Sequence, residues 1–584
     1  MPLTNLFKRW LSGWSTFANT AVQEPHRPRD ALLHDAHGHF DLGRYSQALA
    51  VYTTLIETAA PDSEGLFKLY VNAGNCHELL GKVDDAIRCY VTALNLHPAC
   101  IEANWNLAAL YRRLGKEHLA IPHQQWLEQA QLSPALRMRE ILDIPVIASS
   151  TDAIIHWRSR FATQLSTLAA IPSGTIEQPE TSINATPLYL AYQGQDNAEL
   201  TRLVCAAVRR FYATPPFVHA QRPQRKRIRI GFVSPFFFNH SIGRLYRGVI
   251  GALDRSRFEV FVFSINHQKD ETAKTIENHA DYFFALPEHI LTVTAAIRQQ
   301  QLDVLYYPEI GLHPVTYFLA YWRLAPVQCM SYGHPDTSGI DTIDYFLSAG
   351  SIEPAAHQTY YTEKLVRLDG FFMPAYERPE FPHIPARAER FGAEPGQRIY
   401  FCPQTLFKFH PDFDFILRQI LTRDPSAILT LIDAGPSDWK PALMRRFAQT
   451  MPDTVSRIRF IPAQSTAEYV NLLRSADAVL DTVYFGGGIS VMDTFAANVP
   501  IVTLEGQFFR GRQAAACYRE MGMDDCISDS PEAYIDRALL IARDPLVKVK
   551  LSERIAQTSS RLFNRVEAIR SLEEFLDAAV KRAV

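Results

Sequence analysis

Several features that would point to particular classes of protein are missing from this 584-residue chain. Its eight cysteines are scattered and form no CxxC pair, which argues against a disulfide scaffold or a cysteine zinc site and fits a reducing compartment. No apolar run reaches the ~20 residues that a helix needs to span a bilayer. The formal net charge of -3 argues against a strongly basic, nucleic-acid-binding surface. We therefore expect a cytoplasmic protein without a transmembrane segment or a nucleic-acid partner.

The chain has ample apolar residues for several packed cores. Hydrophobic residues make up 47% of the sequence, and at ~150 residues per domain its length predicts three or four domains. Residues 1–29 are interpreted as an N-terminal tail. Their apolar stretch MPLTNLFKRWLSGWSTFA is a poor signal peptide, because Lys8 and Arg9 interrupt it. An amphipathic helix that contacts a membrane or a partner is an alternative, but a frayed tail is the favoured interpretation.

Residues 30–134 contain a repeat. Gly81 and Gly115 lie 34 residues apart, and an earlier copy is offset by 38 residues. A 34-residue period, with small residues where two helices cross, is typical of tetratricopeptide repeats. Tyr52 and Tyr90 are expected to fill the gaps between successive repeats. The repeats either form a surface that docks a partner or substrate protein, or they support the domains that follow, and the sequence leaves both hypotheses open.

The next part of the chain, residues 135–222, has the periodicity of helices and reads as a helical linker region. It ends in the basic, proline-containing stretch HAQRPQRKRIR. Those charges could bind phosphate, but a solvated linker is the favoured interpretation.

From residue 223 onward the pattern changes to short apolar strands that alternate with helices, which predicts parallel α/β domains. A proline-rich stretch at residues 374–396 separates two such series, so we expect one domain over residues 223–385 and a second over residues 386–560. Ligands of such sheets bind at the carboxyl ends of the strands, in the cleft between the domains. Residues 561–584 form an amphipathic C-terminal helix in this interpretation.

Three adjacent glycines, Gly486, Gly487 and Gly488, follow the strand AVLDT in the second series. The helix that begins at Ile489 would leave free amides at its N-terminus, where the helix dipole favours phosphate. Ser490 could add a hydroxyl group. Taken alone, the stretch is equally compatible with a tight turn that packs a helix.

Polar side chains in other strand-end loops favour a binding site. Asp493 would accept hydrogen bonds from a ribose, and Lys408 follows the first strand of the second domain, where an ammonium can neutralise a diphosphate leaving group. His240 follows the first strand of the first domain, and a further polar loop, residues 334–339, includes Pro335 and Thr337. Four such loops that converge on one cleft predict a functional site.

The stretches of sequence that contain these four loops resemble the bacterial branch of the O-linked N-acetylglucosamine transferase/SPINDLY-like family. Members of that family join tetratricopeptide repeats to a GT-B glycosyltransferase, so the implied fold is a multidomain one: α-helical repeats followed by an α/β GT-B fold of two Rossmann-like domains. The resemblance covers most of residues 225–530, in order. The matching stretches are RIRIGFVSPFFFNHSIGRL, RLAPVQCMSYGHPDTSGIDTIDYFLS, YYTEKLVRLDGF, FCPQTLFKFHPDF and LDTVYFGGGISVMDTFAANVPIVTLEGQFFRGR.

The resemblance implies an inverting, metal-independent transfer from a nucleotide sugar to a protein side chain. His240 matches the family's active-site histidine, and Lys408 matches the lysine that contacts the donor diphosphate. Asp493 matches the ribose-binding aspartate, and Gly488, Ile489 and Ser490 match the phosphate-binding turn. The loop of residues 334–339, with Pro335 and Thr337, matches the segment near the donor sugar.

The chain also departs from the family pattern. Animal enzymes have His-Thr-Thr where this chain has Gly488, Ile489 and Ser490, and a histidine and an arginine that help to hold the base align with Tyr469 and Leu472. The resemblance implies GlcNAc transfer from UDP-GlcNAc to Ser or Thr of an acceptor protein. Alternatives are O-fucosylation from GDP-fucose, N-glucosylation of asparagine from UDP-glucose, and a non-catalytic adaptor. No Asp-x-Asp motif stands where a metal-dependent transferase would need one, and Lys408 could supply the positive charge.

Overall fold

The computed structural model divides into two units by its internal contacts: Met1–Arg137 with Gly435–Arg445, and Met138–Ala434 with Arg446–Val584. The predicted N-terminal tail lies almost wholly outside the described residues, and so do parts of the basic and proline-rich stretches. The structure describes residues 27–60, 63–130, 132–168, 171, 174–217, 225–381 and 388–583.

The first unit contains pairs of antiparallel helices, as the repeat predicts. Gly43, Gly81 and Gly115 lie in the turns within the pairs, with φ angles of +73°, +74° and +69°. Glycine adopts this left-handed conformation without a steric penalty, which explains why it recurs at the repeat period. The three helix pairs are Arg27–Asp41 with Tyr45–Glu57, Leu66–Leu79 with Val83–Leu96, and Ile101–Arg113 with Glu117–Gln129.

The predicted tyrosines pack between the repeats. Tyr52 and Tyr90 are buried, each in a cluster that includes residues of the following helix pair. A Cβ atom on Gly74 would lie 2.5 Å from the Tyr90 ring, so only glycine lets the ring approach this closely. The Tyr90 hydroxyl donates to Asn75 Oδ1 at 2.8 Å, which satisfies its polar end inside the stack.

Helices also occupy most of the region between the repeats and the first sheet. They lie in the segment that the sequence predicted to be a helical linker. Their bounds are Pro134–Leu142, Thr151–Leu168, Pro179–Ser182 and Ala198–Phe211, with a 3₁₀ turn at Leu188–Tyr192.

The first α/β domain is built on a seven-stranded parallel sheet with the order β3-β2-β1-β4-β5-β6-β7. Each strand coincides with a short apolar run of the first series. The five inner strands are buried along most of their length, whereas the edge strands β3 and β7 have no buried residue. The strands are β1 Ile228–Ser234, β2 Phe258–Ser264, β3 Tyr282–Ala285, β4 Val304–Tyr307, β5 Val327–Ser331, β6 Tyr345–Ala349 and β7 Lys364–Leu368. The helices between them are Ser241–Ala252, Glu271–His279, Ile290–Gln300 and Pro314–Leu319.

The second α/β domain has a six-stranded sheet with the order β10-β9-β8-β11-β12-β13. Its first five strands coincide with short apolar runs of the second series, whereas β13, with only two residues, is too short to show a pattern. The strands are β8 Arg398–Cys402, β9 Ala427–Asp433, β10 Ile458–Pro462, β11 Ala478–Leu480, β12 Ile501–Leu504 and β13 Ile527–Ser528. The helices are Pro411–Arg423, Trp439–Thr450, Thr466–Ser475, Ile489–Ala496, Gln513–Glu520, Pro531–Arg543 and Pro545–Thr558.

Each sheet has one point where the strand order reverses direction. In the first sheet this point lies between β1 and β4, and in the second it lies between β8 and β11, which pair at Ala478 with Tyr400 and at Val479 with Phe401. Loops at the carboxyl ends of such neighbouring strands diverge and leave a crevice. Lys408 follows β8 and the three glycines follow β11, so the topology brings them to one crevice.

The C-terminal helix, Glu567–Ala583, returns to the first sheet. Its Phe575 ring packs edge-on against Tyr345 of β6, with ring centroids 5.1 Å apart. Glu573 is fully buried and accepts a hydrogen bond from the Asp254 amide at 2.7 Å. The amphipathic pattern predicted this helix, but its partner lies more than two hundred residues away in the chain. Within the described residues, we find no helix that combines the length and the apolar character required to cross a membrane.

Candidate functional site

Lys408 lies at the end of a 3₁₀ turn, Leu406–Lys408, that follows β8. Its Nζ atom donates to the Gly486 carbonyl at 2.9 Å and to Gln404 Oε1 at 2.8 Å. The ammonium group also lies 5.0 Å from the centroid of the Phe485 ring. Burial lowers the pKa of Lys408 to about 8. The structure thus holds a cation against the glycine turn, and the contact of Lys408 with a diphosphate stays a prediction.

Asp481, which the sequence analysis missed, holds the other side of the turn. Its side chain is buried, and Oδ1 accepts hydrogen bonds from the Gly487 amide at 2.9 Å and the Thr482 amide at 3.1 Å. A Cβ atom on Gly486 would lie 2.5 Å from Asp481 Oδ2, so glycine is required there. Burial raises the pKa of Asp481 to about 6, while Lys408 and these amides favour its charged form. Its position directly after β11 was the signal available in the sequence.

The amides of the glycine turn fall into two groups. The Gly486 amide donates to the Arg510 carbonyl at 2.8 Å, and the Gly487 amide donates to Asp481. The amides of Gly488, Ile489 and Ser490 have no acceptor among the residues that the structure describes. These three N–H groups belong to the first turn of the helix Ile489–Ala496 and its N-cap. They form a place for an anion next to a helix N-terminus.

Gln404 connects the cation to the helix N-terminus. It accepts a hydrogen bond from Lys408 and donates from Nε2 to Ser490 Oγ at 3.2 Å. A Cβ atom on Gly487 would lie 2.5 Å from Ser490 Oγ and 2.7 Å from Gln404 Nε2, so the absent side chain makes room for this pair. Lys408, Ser490 and the glycine turn therefore form one connected group.

Asp493 lies on the same helix and is 5% exposed. Its carboxylate accepts two hydrogen bonds from Arg244, at 3.0 Å and 2.6 Å, and one from the Tyr376 hydroxyl at 3.3 Å. Arg244 lies on the helix Ser241–Ala252 of the first α/β domain. The ribose contact of Asp493 stays a prediction, and it would use the remaining lone pairs of a carboxylate that Arg244 already orients.

The two residues that align with base-contacting positions differ in their surroundings. Leu472 is 1% exposed and belongs to the core, so it offers a base no polar contact. The Tyr469 hydroxyl is buried and has no hydrogen-bond partner within the described residues. Burial, followed by the charge of Asp493, raises the pKa of Tyr469, which keeps its hydroxyl protonated. Tyr469 is therefore a candidate to contact the nucleoside.

His240 is the N-cap of the helix Ser241–Ala252. Its Nδ1 atom accepts a hydrogen bond from the Ile242 amide at 3.2 Å, and its ring stacks on Phe236 with centroids 4.4 Å apart. Burial lowers the pKa of His240 to about 4, so the ring is neutral at physiological pH. Because Nδ1 is an acceptor, the single ring proton lies on Nε2, which is then a hydrogen-bond donor.

The loop of residues 334–339 is held firmly by its neighbours. The Thr337 hydroxyl donates to Glu363 Oε2 at 2.7 Å, and Asp336 pairs with Arg510 at 3.3 Å. Pro335 is buried, and burial lowers the pKa of His334 to about 4. The loop is thus rigid and partly committed to internal contacts, and its predicted place near a donor sugar stays a prediction.

A segment that the sequence analysis read as a linker also lines the glycine turn. The Tyr192 ring stacks on Phe485 with centroids 4.3 Å apart. A Cβ atom on Gly194 would lie 2.9 Å from the Tyr484 ring, and Tyr484 itself has a φ angle of +65°. Because Phe485 also contacts the Lys408 ammonium, Tyr192 supports the cation from behind.

These contacts define what the site can do. A cation and three free amides at a helix N-terminus bind and stabilise an anion such as a diphosphate. Within the described ranges, no group of three or more His, Cys, Asp or Glu side chains is placed to hold a metal ion. Two Rossmann-like domains, each with a crevice at the reversal of its strand order, are the arrangement of the GT-B fold.

Comparison with known proteins identifies the family. The model of "Glycosyl transferase family 41" matches residues 197–394 and 388–572, and a tetratricopeptide repeat model matches residues 67–100. The chain belongs to glycosyl transferase family 41. The family resemblance, the fold class and the enzyme class predicted from the sequence are thereby confirmed.

Similar curated proteins come from plants and a nematode. The chain is 26% identical over 389 residues to the Arabidopsis thaliana "Probable UDP-N-acetylglucosamine--peptide N-acetylglucosaminyltransferase SEC". The aligned region covers 63% of this chain and 39% of that protein. It is 22% identical over 487 residues to the Caenorhabditis elegans "UDP-N-acetylglucosamine--peptide N-acetylglucosaminyltransferase", with 63% and 42% covered. The chain thus spans about two fifths of the length of these relatives.

A solved structure shows the same fold along nearly the whole chain. A mutant of the Thermobaculum terrenum O-GlcNAc transferase superposes with a TM-score of 0.65 and 21% identity, over 96% of this chain and 99% of that chain. At this level of identity the likeness concerns the fold.

Proposed function

We propose that this chain transfers GlcNAc from UDP-GlcNAc to serine or threonine hydroxyls of acceptor proteins. The observation that carries the proposal is the Lys408 ammonium, fixed against the glycine turn that also leaves three amides free. A nucleoside diphosphate is an anion of suitable size and charge for that place. The names of the curated relatives support UDP-GlcNAc as the donor and a peptide as the acceptor.

The proposed step is a direct displacement with inversion. The acceptor oxygen attacks the anomeric carbon, the bond from that carbon to the phosphate oxygen breaks, and UDP leaves with the electron pair. Lys408 and the amides of Gly488, Ile489 and Ser490 stabilise the charge that develops on the diphosphate. We assign no metal to this step, because the ammonium and the amides supply positive charge where the leaving group needs it.

The acceptor proton needs a destination. His240 is a poor one, because its Nδ1 atom caps a helix and its Nε2 atom already carries the ring proton. We propose that a phosphate oxygen of the donor takes the proton, while His240 donates a hydrogen bond from Nε2 to the reacting groups. His240 is then a site residue that stabilises charge and position, rather than the general base.

The repeats are proposed to dock the acceptor protein. If this is right, deletion of residues 30–134 should abolish glycosylation of protein acceptors and leave hydrolysis of the nucleotide sugar intact. A deletion variant that is insoluble or loses both activities would instead show a supporting role. Full activity on protein acceptors after the deletion would exclude both roles.

The proposal is tested by incubating the purified chain with a protein extract and each of UDP-GlcNAc, UDP-glucose and GDP-fucose. Mass spectrometry then identifies the added sugar and the modified side chain, and Lys408→Ala serves as the control with strongly reduced transfer. An N-acetylhexosamine on serine or threonine supports the proposal. A hexose on asparagine or a deoxyhexose would replace it with a related transfer, and binding of all donors without any transfer would indicate an adaptor.

A further inference from the structure

A glutamine side chain lies over the free end of the glycine turn. Gln513 is the first residue of the helix Gln513–Glu520, and it is 6% exposed. A Cβ atom on Gly488 would lie 3.1 Å from Gln513 Oε1 and 4.0 Å from Nε2. The Gln513 carboxamide therefore borders the space that a side chain at residue 488 would occupy.

This carboxamide has no hydrogen-bond partner among the described residues. Neither polar atom of the carboxamide is completely enclosed, so in a residue that is otherwise buried this end remains accessible to a ligand. Gly488, whose side-chain position the carboxamide borders, also carries the first of the three free amides of the turn. The carboxamide and the three free amides thus belong to two separate helices that approach each other at Gly488, where an anion can accept hydrogen bonds from both.

We propose that Gln513 is a donor-binding residue that donates a hydrogen bond from Nε2 to the terminal phosphate of the bound nucleoside diphosphate. The proposal rests on the proposed function, because it places the nucleotide at the glycine turn. No described residue fixes the orientation of the carboxamide, so rotation about its Cγ–Cδ bond exchanges Oε1 and Nε2. A neutral donor is suited to this position, since it stabilises the phosphate and adds no charge when the site is empty.

The side chains around the glycine turn indicate which phosphate Gln513 contacts. Lys408 contacts the carbonyl of Gly486, Gln404 and Ser490 enclose Gly487, and Gln513 borders Gly488. The Lys408 ammonium, the Ser490 hydroxyl and the Gln513 carboxamide thus lie beside three successive glycines of the turn. The phosphate that leaves with the electron pair needs the largest number of donors, and it is the one next to Lys408 in the proposed step.

The test is calorimetric titration of the full-length chain with UDP and UMP. Gln513→Leu keeps the volume of the side chain and removes its polar end. We expect about a tenfold loss of UDP affinity, because a hydrogen bond to a charged group is lost, and no change in UMP affinity. Equal losses for UDP and UMP, or no loss for either, would overturn the proposal.

Two further variants keep the test decisive. Gln513→Glu preserves size and places a carboxylate beside the phosphate, so UDP affinity should fall more than in Gln513→Leu. Gln449→Glu, at an exposed position on the helix Trp439–Thr450, adds the same charge elsewhere and should leave UDP affinity unchanged. A wild-type chain that does not bind UDP would overturn the proposed function as well. A wild-type chain that binds UDP, with both Gln513 variants unaffected, would overturn only the role of Gln513.

Discussion

Both carboxylate oxygens of Asp493 accept hydrogen bonds from the guanidinium group of Arg244, at 3.0 Å and 2.6 Å. Arg244 lies on the helix after β1 and Asp493 lies on the helix after β11, so this ion pair joins the two Rossmann-like domains. A two-pronged pair fixes the plane of the carboxylate. If Asp493 binds a ribose, the first domain orients the residue with which the second domain holds the nucleotide.

The ribose assignment predicts that Asp493→Asn weakens UDP binding by about 1 kcal/mol, roughly the value of one hydrogen bond. The variant should also lower the melting temperature, because Arg244 loses a charged partner in a mostly buried place. Calorimetry with UDP and a thermal melt measure the two effects. Glu377→Gln is the matched control, because it breaks the ion pair between Glu377 and Arg247, which lies on the same helix as Arg244. Glu377 is half-exposed, so this pair is not expected to affect UDP binding. Unchanged UDP affinity in Asp493→Asn would refute the ribose contact.

Donor binding should depend on pH through Lys408. Burial depresses the pKa of Lys408 to about 8, so its positive charge is present below that pH and is lost as the pH rises through it. We expect UDP affinity to fall above pH ~8, by up to about tenfold per pH unit. Lys408→Arg should keep its affinity across this range because arginine stays charged, and Lys408→Ala should show no such dependence on pH because it carries no ionisable group at this position. Parallel pH profiles for wild type and Lys408→Ala would show that another group titrates.

The catalytic role of Lys408 predicts a larger effect on rate than on binding. The charge of the diphosphate grows in the transition state, so Lys408→Ala should lower the single-turnover rate by about two orders of magnitude, or ~3 kcal/mol. Donor affinity at neutral pH should fall much less. Rates are measured with saturating donor, and Lys440→Ala, on the helix Trp439–Thr450, provides a control for the loss of a lysine. Transfer at the wild-type rate in Lys408→Ala would remove Lys408 from the site.

His240 should show no ionisation of its own in the pH–rate profile between pH ~5.5 and ~8. Burial lowers its pKa to about 4, so its ring stays neutral over that range. His240→Ala should slow transfer and cost about 1 kcal/mol of stability, because an N-cap is lost. His240→Asn should recover the stability, since asparagine is a good N-cap, and transfer should remain slow because its amide does not reach as far as Nε2. An inflection near pH 6.5 that disappears in His240→Asn would identify His240 as the base instead.

The repeats, the strands and the glycine turn followed from the sequence, because each depends on residues close together in the chain. The spacing of Gly81 and Gly115 reflects a local backbone requirement, and apolar runs of four to seven residues mark buried parallel strands. Lys408 and the three glycines were recognisable because each follows a strand of the same predicted sheet. Strand ends of a parallel sheet meet at one edge, whatever the loops between them do.

Only the tertiary structure decided which groups of the site are free and which are committed. The amides of Gly486 and Gly487 are used by Arg510 and Asp481, whereas those of Gly488, Ile489 and Ser490 are not, and no local pattern distinguishes the two sets. The pairing of Arg244 with Asp493 spans nearly 250 residues of chain, and Gln513 reaches Gly488 from a different helix. Such contacts depend on how whole domains pack, and packing is set by the summed surfaces of many side chains rather than by any single stretch of sequence.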